Sequence, residues 1–352
     1  MKNECWDVGI VGQGLAGTVL HAYLENAGYK TCVWDPGGVS CSSISSGILN
    51  PLTGRKYVKS WLFDDLLTEA VRFYRGLESA LGTRFFYERP IFRALPDRRA
   101  ENEWDYRSSL PAYSEYVGGD AEEDQIPSEL RRSVPYISIL KGHQLRISRM
   151  LNDYRAYLTN SNRLIPESWQ HSQLIREGDT WIYKGVRCQK IIFCEGAAAI
   201  HNPWLKGLPF NLSKGEAMVI KKLEVLPAVI KRRIFSVPWE NGEWWLGAAN
   251  FWNYEDDLPT DEGQERIMAA FIEMYSGQRP PVMENFAAIK PTVRDRKPLL
   301  GRVDRDIYVF NGLGTKGASL APYFARHLAS HIKSGQSLMQ EVDIKGRWDE
   351  AS

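Results

Sequence analysis

Two glycine-rich turns and one charged loop hold the residue types that could do chemistry. The first turn is Gly12-Gln13-Gly14-Leu15-Ala16-Gly17. It follows an apolar run at residues 7–11, which reads as a buried parallel strand. A helical pattern continues through Val19, Leu20, Tyr23 and Leu24, with Gly28 as its stop. A second strand, Thr31-Cys32-Val33-Trp34, ends on Asp35. Gly12 permits the tight turn, Gly14 leaves room for a pyrophosphate against backbone, and Gly17 lets the helix lie on the sheet. Unpaired amides at the helix start, including those of Leu15 and Ala16, face the phosphate charge. Asp35 accepts hydrogen bonds from ribose hydroxyls and disfavours a 2′-phosphate. Three glycines alone would be weak evidence. Strand, turn, helix, strand and terminal acid in this order supply the required context for the ADP half of a dinucleotide.

The charged loop is Lys290-Pro291-Thr292-Val293-Arg294-Asp295-Arg296-Lys297-Pro298, closed by Gly301. A strand at residues 307–310 leads into the second turn, Asn311-Gly312-Leu313-Gly314-Thr315-Lys316-Gly317, and a helix at 320–332. These helix-start amides can meet an anionic or electron-rich group, such as the N1–C2 carbonyl edge of a reduced flavin. Lys316 either adds charge there or faces solvent. Residues 41–51 are small and hydroxyl-rich. They form either a capped loop or a segment passing a flat cofactor, with Ser43, Ser46, Gly47 and Ile48 as candidates. Cys194-Glu195-Gly196 follows another strand and invites a close backbone approach.

The elements that must position these groups alternate in kind. Residues 61–81 form an amphipathic helix, 85–94 and 136–140 strand material, and 145–158 a helix. Residues 96–129 are polar and irregular, with an acidic run at 120–124 that reads as a solvated edge. Strands at 180–184 and 190–194 are divided at Gly185. Lys214-Gly215-Glu216 marks a chain crossing. Runs at 217–220, 228–237 and 243–248 then read as antiparallel strands around an Asn241-Gly242 turn. A helix at 263–275 is ended by Gly277 and Pro280-Pro281. The expected fold is therefore an α/β, Rossmann-like nucleotide-binding domain at 1–84, 141–215 and 287–345. It is interleaved with an α+β substrate domain at 85–140 and 216–286 that contains an antiparallel sheet.

The 352 residues include 44 lysines and arginines against 43 acids, a formal net charge of +1. That balance gives no support for a protein that coats nucleic acid, though it leaves room for a local basic cleft. Five scattered cysteines in no ligand-like spacing read as reduced thiols. The histidines lack metal spacing, so no metal is expected, and no Gly-x-Ser-x-Gly elbow suggests a hydrolase. No signal-like start and no run of roughly 18 apolar residues occurs, so a cytoplasmic protein without a membrane span is expected.

With its motifs in this order, the chain resembles the FAD-dependent D-amino-acid-oxidase-like family, which includes glycine oxidase and sarcosine oxidase. The resemblance covers nearly the whole chain. It implies FAD, hydride transfer from a carbon beside an amine to flavin N5, and an imine that hydrolyses. The substrate would be an amine or amino acid, and oxygen or another acceptor would reoxidise the flavin. It also implies a basic residue for a substrate carboxylate in the stretch that holds Lys290-Pro291. Glycine-oxidase-like members carry arginine there; lysine would serve as a point charge without the fork. Arg294 and Arg55 are other candidates, and Tyr254 could close the pocket; each could equally be a solvated or structural side chain. Some relatives attach flavin through a C-terminal cysteine. No cysteine follows Cys194, so the FAD is expected to be non-covalent. Arg294-Asp295-Arg296-Lys297-Pro298 most resembles the oxidase half of the bifunctional enzyme that trims carboxymethylaminomethyl-uridine in tRNA. A tRNA partner would need a basic groove, which Arg55, Lys56, Lys59, Arg294, Arg296 and Lys297 could form. The other readings are an NAD-dependent dehydrogenase and a flavoprotein that binds a partner without turnover.

Overall fold

The computed structural model describes residues 5–121, 126, 129–130, 134–221 and 228–348. The strand Cys5–Val11 turns Val8 and Ile10 toward helix α1 (Leu15–Asn26), and both side chains are fully buried. It pairs in parallel with Thr31–Trp34 on one side and Val186–Phe193 on the other. Leu164–Ile165 and Ile307–Asn311 extend this parallel sheet outward. The order reverses between the first strand and Val186–Phe193. Ligands of such sheets bind at the carboxyl ends of the strands beside a reversal of this kind.

Helix α1 is covered by three others: α2 (Phe63–Leu81), α4 (Ile147–Asn160) and α6 (Gly317–Ser334); α3 (Arg98–Ser108) and α5 (Asp261–Ile272) lie elsewhere. Their apolar stripes meet in one core that includes Val19, Leu20, Tyr74, Met150, Phe324 and Leu328. Under α1, His21 is wholly buried between the Tyr154 hydroxyl at 2.7 Å and the Thr31 hydroxyl at 2.9 Å. Burial, then the charge of Arg163, pushes its pKa down to about 3, so it is neutral.

The second large sheet runs in the order Val282–Lys290, Ser213–Ile220, Trp244–Phe251, Phe235–Pro238, Val229–Lys231, Ile91–Ala94, Tyr136–Ile139 and Val117–Asp120. Its pairs are antiparallel except Val229–Lys231 with Ile91–Ala94. Alternation assigns two faces. Met218, Ile220, Trp244 and Leu246 pack against Phe271 of α5, while Ala217, Val219 and Trp245 point the other way into a separate core. That second face is the roof of the site described below.

Three sequence expectations change. Residues 96–129 are not irregular throughout, since they contain α3 and a 3-10 helix at Pro111–Tyr116. Asp97 caps α3 by accepting from the Ala100 amide at 2.8 Å, and only Trp104 of that helix is buried, so no apolar stripe announces it. The run at 228–237 is two strands, Val229–Lys231 and Phe235–Pro238, joined by a turn. An unread strand, Leu174–Glu177, pairs with Thr180–Tyr183. Residues 122–124 of the acidic run lie outside the described residues.

Candidate active site

A cavity of about 1000 Å³ runs from the carboxyl ends of the parallel strands to the roof formed by the second sheet. That is the upper end of the range for small-molecule sites. At its nucleotide end lie Gly12, Gly14, Leu15, Ala16 and Asp35. Gly12 has φ +100°, and a Cβ there would stand 2.5 Å from the Cys194 carbonyl oxygen. A Cβ on Gly17 would stand 1.9 Å from the Gly12 oxygen, so helix and turn touch through missing side chains. The first amides of α1 have no helical acceptor. Leu15 N–H donates to Ser42 Oγ at 3.1 Å, which fixes the helix start under the 41–47 loop.

Asp35 accepts from the Gln13 amide and the Gly37 amide, each at 2.7 Å, and from Arg155 Nη1 at 2.8 Å. A carboxylate offers about four acceptor positions, so one remains for a ribose hydroxyl. Arg155 comes from α4 and also donates to the Asp35 carbonyl. Glu195 presents its backbone to the cavity while His171 and Asn202 hold its carboxylate at 2.7 and 2.6 Å. Asn311 ties the two inner turns together: its Nδ2 donates to the Gly196 carbonyl at 2.9 Å, and its Oδ1 accepts from the Gly312 amide at 2.8 Å.

The start of α6 forms the opposite wall through Leu313, Gly314, Thr315, Lys316 and Gly317. Lys316 Nζ donates to Ser60 Oγ at 3.3 Å; burial, then Arg296, lowers its pKa. Ser46, Gly47 and Ile48 line the floor between the two helix starts, with Cys194 and Gly196. Lys290 projects from the roof and hydrogen-bonds Asn250 Oδ1. Burial lowers the Lys290 pKa, against the raising influence of Cys41, whose own thiol burial pushes up to about 11. Tyr254 and Asp257 line the rim, on the loop after Trp244–Phe251.

The structure thus brings together both glycine turns, the 46–48 segment, Cys194–Gly196, Lys290 and Tyr254. It does not bring in Arg55 or Arg294, which sit in exposed turns outside the lining. Ser43 also lies outside it. That side chain bonds within its own loop to Ser40, and the neighbouring Ser42 reaches α1 instead. Gly17, Gly301 and Gly312 stand behind the walls, Gly301 against Ile344 and Gly312 against Val293. Of the six cations proposed for a nucleic-acid groove, Lys59 is held by Asp64 at 2.5 Å and Lys297 lies 5.1 Å over the Trp61 ring. Sequence reasoning missed Ser42, Asn50, Arg155, Lys231, Trp245 and Asn250. Among the described residues no cluster of metal ligands occurs, and no helix is long and apolar enough to cross a membrane.

The glycine cradle, the ribose acceptor with one position left and the second helix start fit a dinucleotide whose far end is a flat, electron-rich ring. Fold and site together define a flavin-dependent α/β oxidoreductase with an antiparallel roof. The chain belongs to the FAD-dependent oxidoreductase (DAO) family, whose model matches residues 7–331. It is 23% identical to glycine oxidase of Pseudomonas aeruginosa, over 93% of this chain and 94% of that protein. Among solved structures it resembles glycine oxidase from Geobacillus kaustophilus, with a TM-score of 0.81, 16% identity and 96% of each chain covered. It also resembles iminodiacetate oxidase from Chelativorans sp. BNC1, with a TM-score of 0.76, 19% identity and coverage of 96% and 98%.

Proposed function

We propose that this chain oxidises the C–H bond beside the nitrogen of a small amine that carries a carboxylate, with non-covalent FAD. The observation that carries the reading is Lys290. It is a part-buried cation with no carboxylate partner among the described residues, and it shares one cavity with both helix starts. FAD, when bound, supplies a two-electron hydride acceptor. The chain's own residues do the rest. The Gly12–Ala16 turn holds the pyrophosphate through backbone amides, and Asp35 takes the ribose. Lys290, steadied by Asn250, takes the substrate carboxylate and sets the orientation of the adjacent C–H bond. The carboxylate supplies the counter-charge that Lys290 lacks among the described residues. A substrate that arrives with its amine neutral needs no strong base from the protein. The names glycine oxidase and iminodiacetate oxidase each denote an amine with a carboxylate one carbon away, which supports the same class.

The test is anaerobic mixing of the yellow holoprotein with glycine, sarcosine, proline and simple amines lacking a carboxylate. Bleaching of the visible flavin band by carboxylated amines only, with colour returning on admission of air, is expected. Full FAD occupancy with no bleaching by any amine would sink the reading. Bleaching by uncharged amines alone would remove Lys290 from it.

A further inference from the structure

The roof face of the large sheet changes character along one pair of strands. Val229 and Ile91 lie opposite each other on neighbouring parallel strands, and both join the core on that face. Two residues further on, Lys231 lies opposite Arg93. Side chains alternate along a strand, so both cations leave the sheet on the roof face, from backbones about 4.8 Å apart. Neither has a carboxylate partner among the described residues. Lys231 Nζ donates to the Arg233 carbonyl at 3.0 Å and sits 4.1 Å from the Phe235 ring centroid. Arg93 Nη2 donates to the Gly54 carbonyl at 2.7 Å, and its guanidinium sits 4.0 Å from the Tyr57 ring centroid. Carbonyls and rings steady a cation without cancelling its charge. Lys231 lines the cavity with Thr53, Arg233 and Phe235, while Arg93 stands outside the lining and adds its charge from the adjoining strand. Burial, then Arg93, lowers the Lys231 pKa to about 8, which leaves it mostly charged at pH 7. Its ammonium keeps two donors after the bond to Arg233.

Two neighbouring part-buried charges of one sign oppose each other until a ligand brings the opposite charge. A single carboxylate would balance one of the two. A phosphate monoester carries about −1.5 to −2 charges at pH 7 and three strong acceptor oxygens, which matches the pair. We infer that the roof at Lys231, backed by Arg93, is a phosphate subsite, and that the preferred amine substrate bears a phosphate ester. This rests on the amine-oxidation reading and deepens it. Arg233, the third cation at this turn, is bound to Glu273 at 2.6 Å, so the uncompensated charge is that of the register pair.

The experiment is titration calorimetry on the FAD-loaded protein, whose pyrophosphate site is filled, with inorganic phosphate and with acetate at pH 7 and matched ionic strength. Phosphate should bind at least about tenfold tighter than acetate, the effect of one further charged hydrogen bond. Lys231→Met should bring the two ions to within about twofold of each other, Lys231→Arg should keep the preference, and Lys290→Met should leave phosphate binding within about twofold of its starting value. In anaerobic mixing, phosphoserine should bleach the flavin at concentrations at least about tenfold lower than serine. Equal binding of phosphate and acetate by the unsubstituted protein overturns the inference, whatever becomes of the variants. A preference unchanged in Lys231→Met, or lost in Lys290→Met instead, with FAD content intact, also overturns it. These outcomes are separate from the oxidation reading. Bleaching by sarcosine without any phosphate preference removes only the phosphate subsite; a phosphate preference that depends on Lys231, with no amine able to bleach the flavin, removes only the oxidation.

Discussion

The two ends of the cavity treat charge differently. At the nucleotide end each acidic side chain is matched inside the protein: Asp35 by Arg155 and two amides, Glu195 by His171 and Asn202. At the roof, Lys231 and Lys290 line the cavity with no carboxylate partner among the described residues. Matched groups keep a backbone shape, and backbone dipoles then catch the phosphates. Unmatched buried cations cost stability until a ligand supplies the opposite charge. The first end is thus a fixed frame and the second is the place where ligands are told apart.

Breaking the frame should have the largest effect. Gly17→Ala forces a methyl group to 1.9 Å from the Gly12 oxygen, so the purified protein should lose its visible flavin absorbance and about 3 kcal/mol of stability. A yellow variant with an unchanged denaturant midpoint would show that α1 does not need this approach. His21 probes the same frame through pH. Its folded pKa is pushed below the unfolded value, so its contribution is complete above about 6.5 and is lost as pH falls toward 3. Between pH 6.5 and 5 it should account for about 2 kcal/mol of the decline in unfolding free energy. His21→Asn should flatten that part of the curve, and an unchanged slope would contradict a neutral buried imidazole.

Changes at the roof should spare the cofactor. Lys290→Met should weaken carboxylated ligands about tenfold while FAD content stays constant; equal loss of both would undercut its place as a carboxylate anchor.

The frame was legible from the sequence because its parts are local. Strand, turn, helix and terminal acid occupy one stretch, and each glycine has its own steric reason there. The antiparallel character of the roof was legible from alternation and the Asn241-Gly242 turn. Its chemistry was not. Asn250 meets Lys290 only through sheet register, and Arg155 reaches Asp35 across 120 residues. Arg55 and Arg294 were candidates for a substrate carboxylate because they are basic, yet nothing local distinguishes an exposed turn from a cavity wall. Ser42 and Ser43 differ by one position in a serine-rich loop, and only the α1 amide decides which of them is used.

Asn311 joins the turn at Gly196 to the turn at Gly312, and residues as early as Gly12 and as late as Ser319 share the same cavity. During synthesis, therefore, no early fragment can present a finished site. A nascent chain would leave the ribosome with its first nucleotide-binding unit made but unclosed, and cofactor capture must wait until the segment up to Ser319 has emerged.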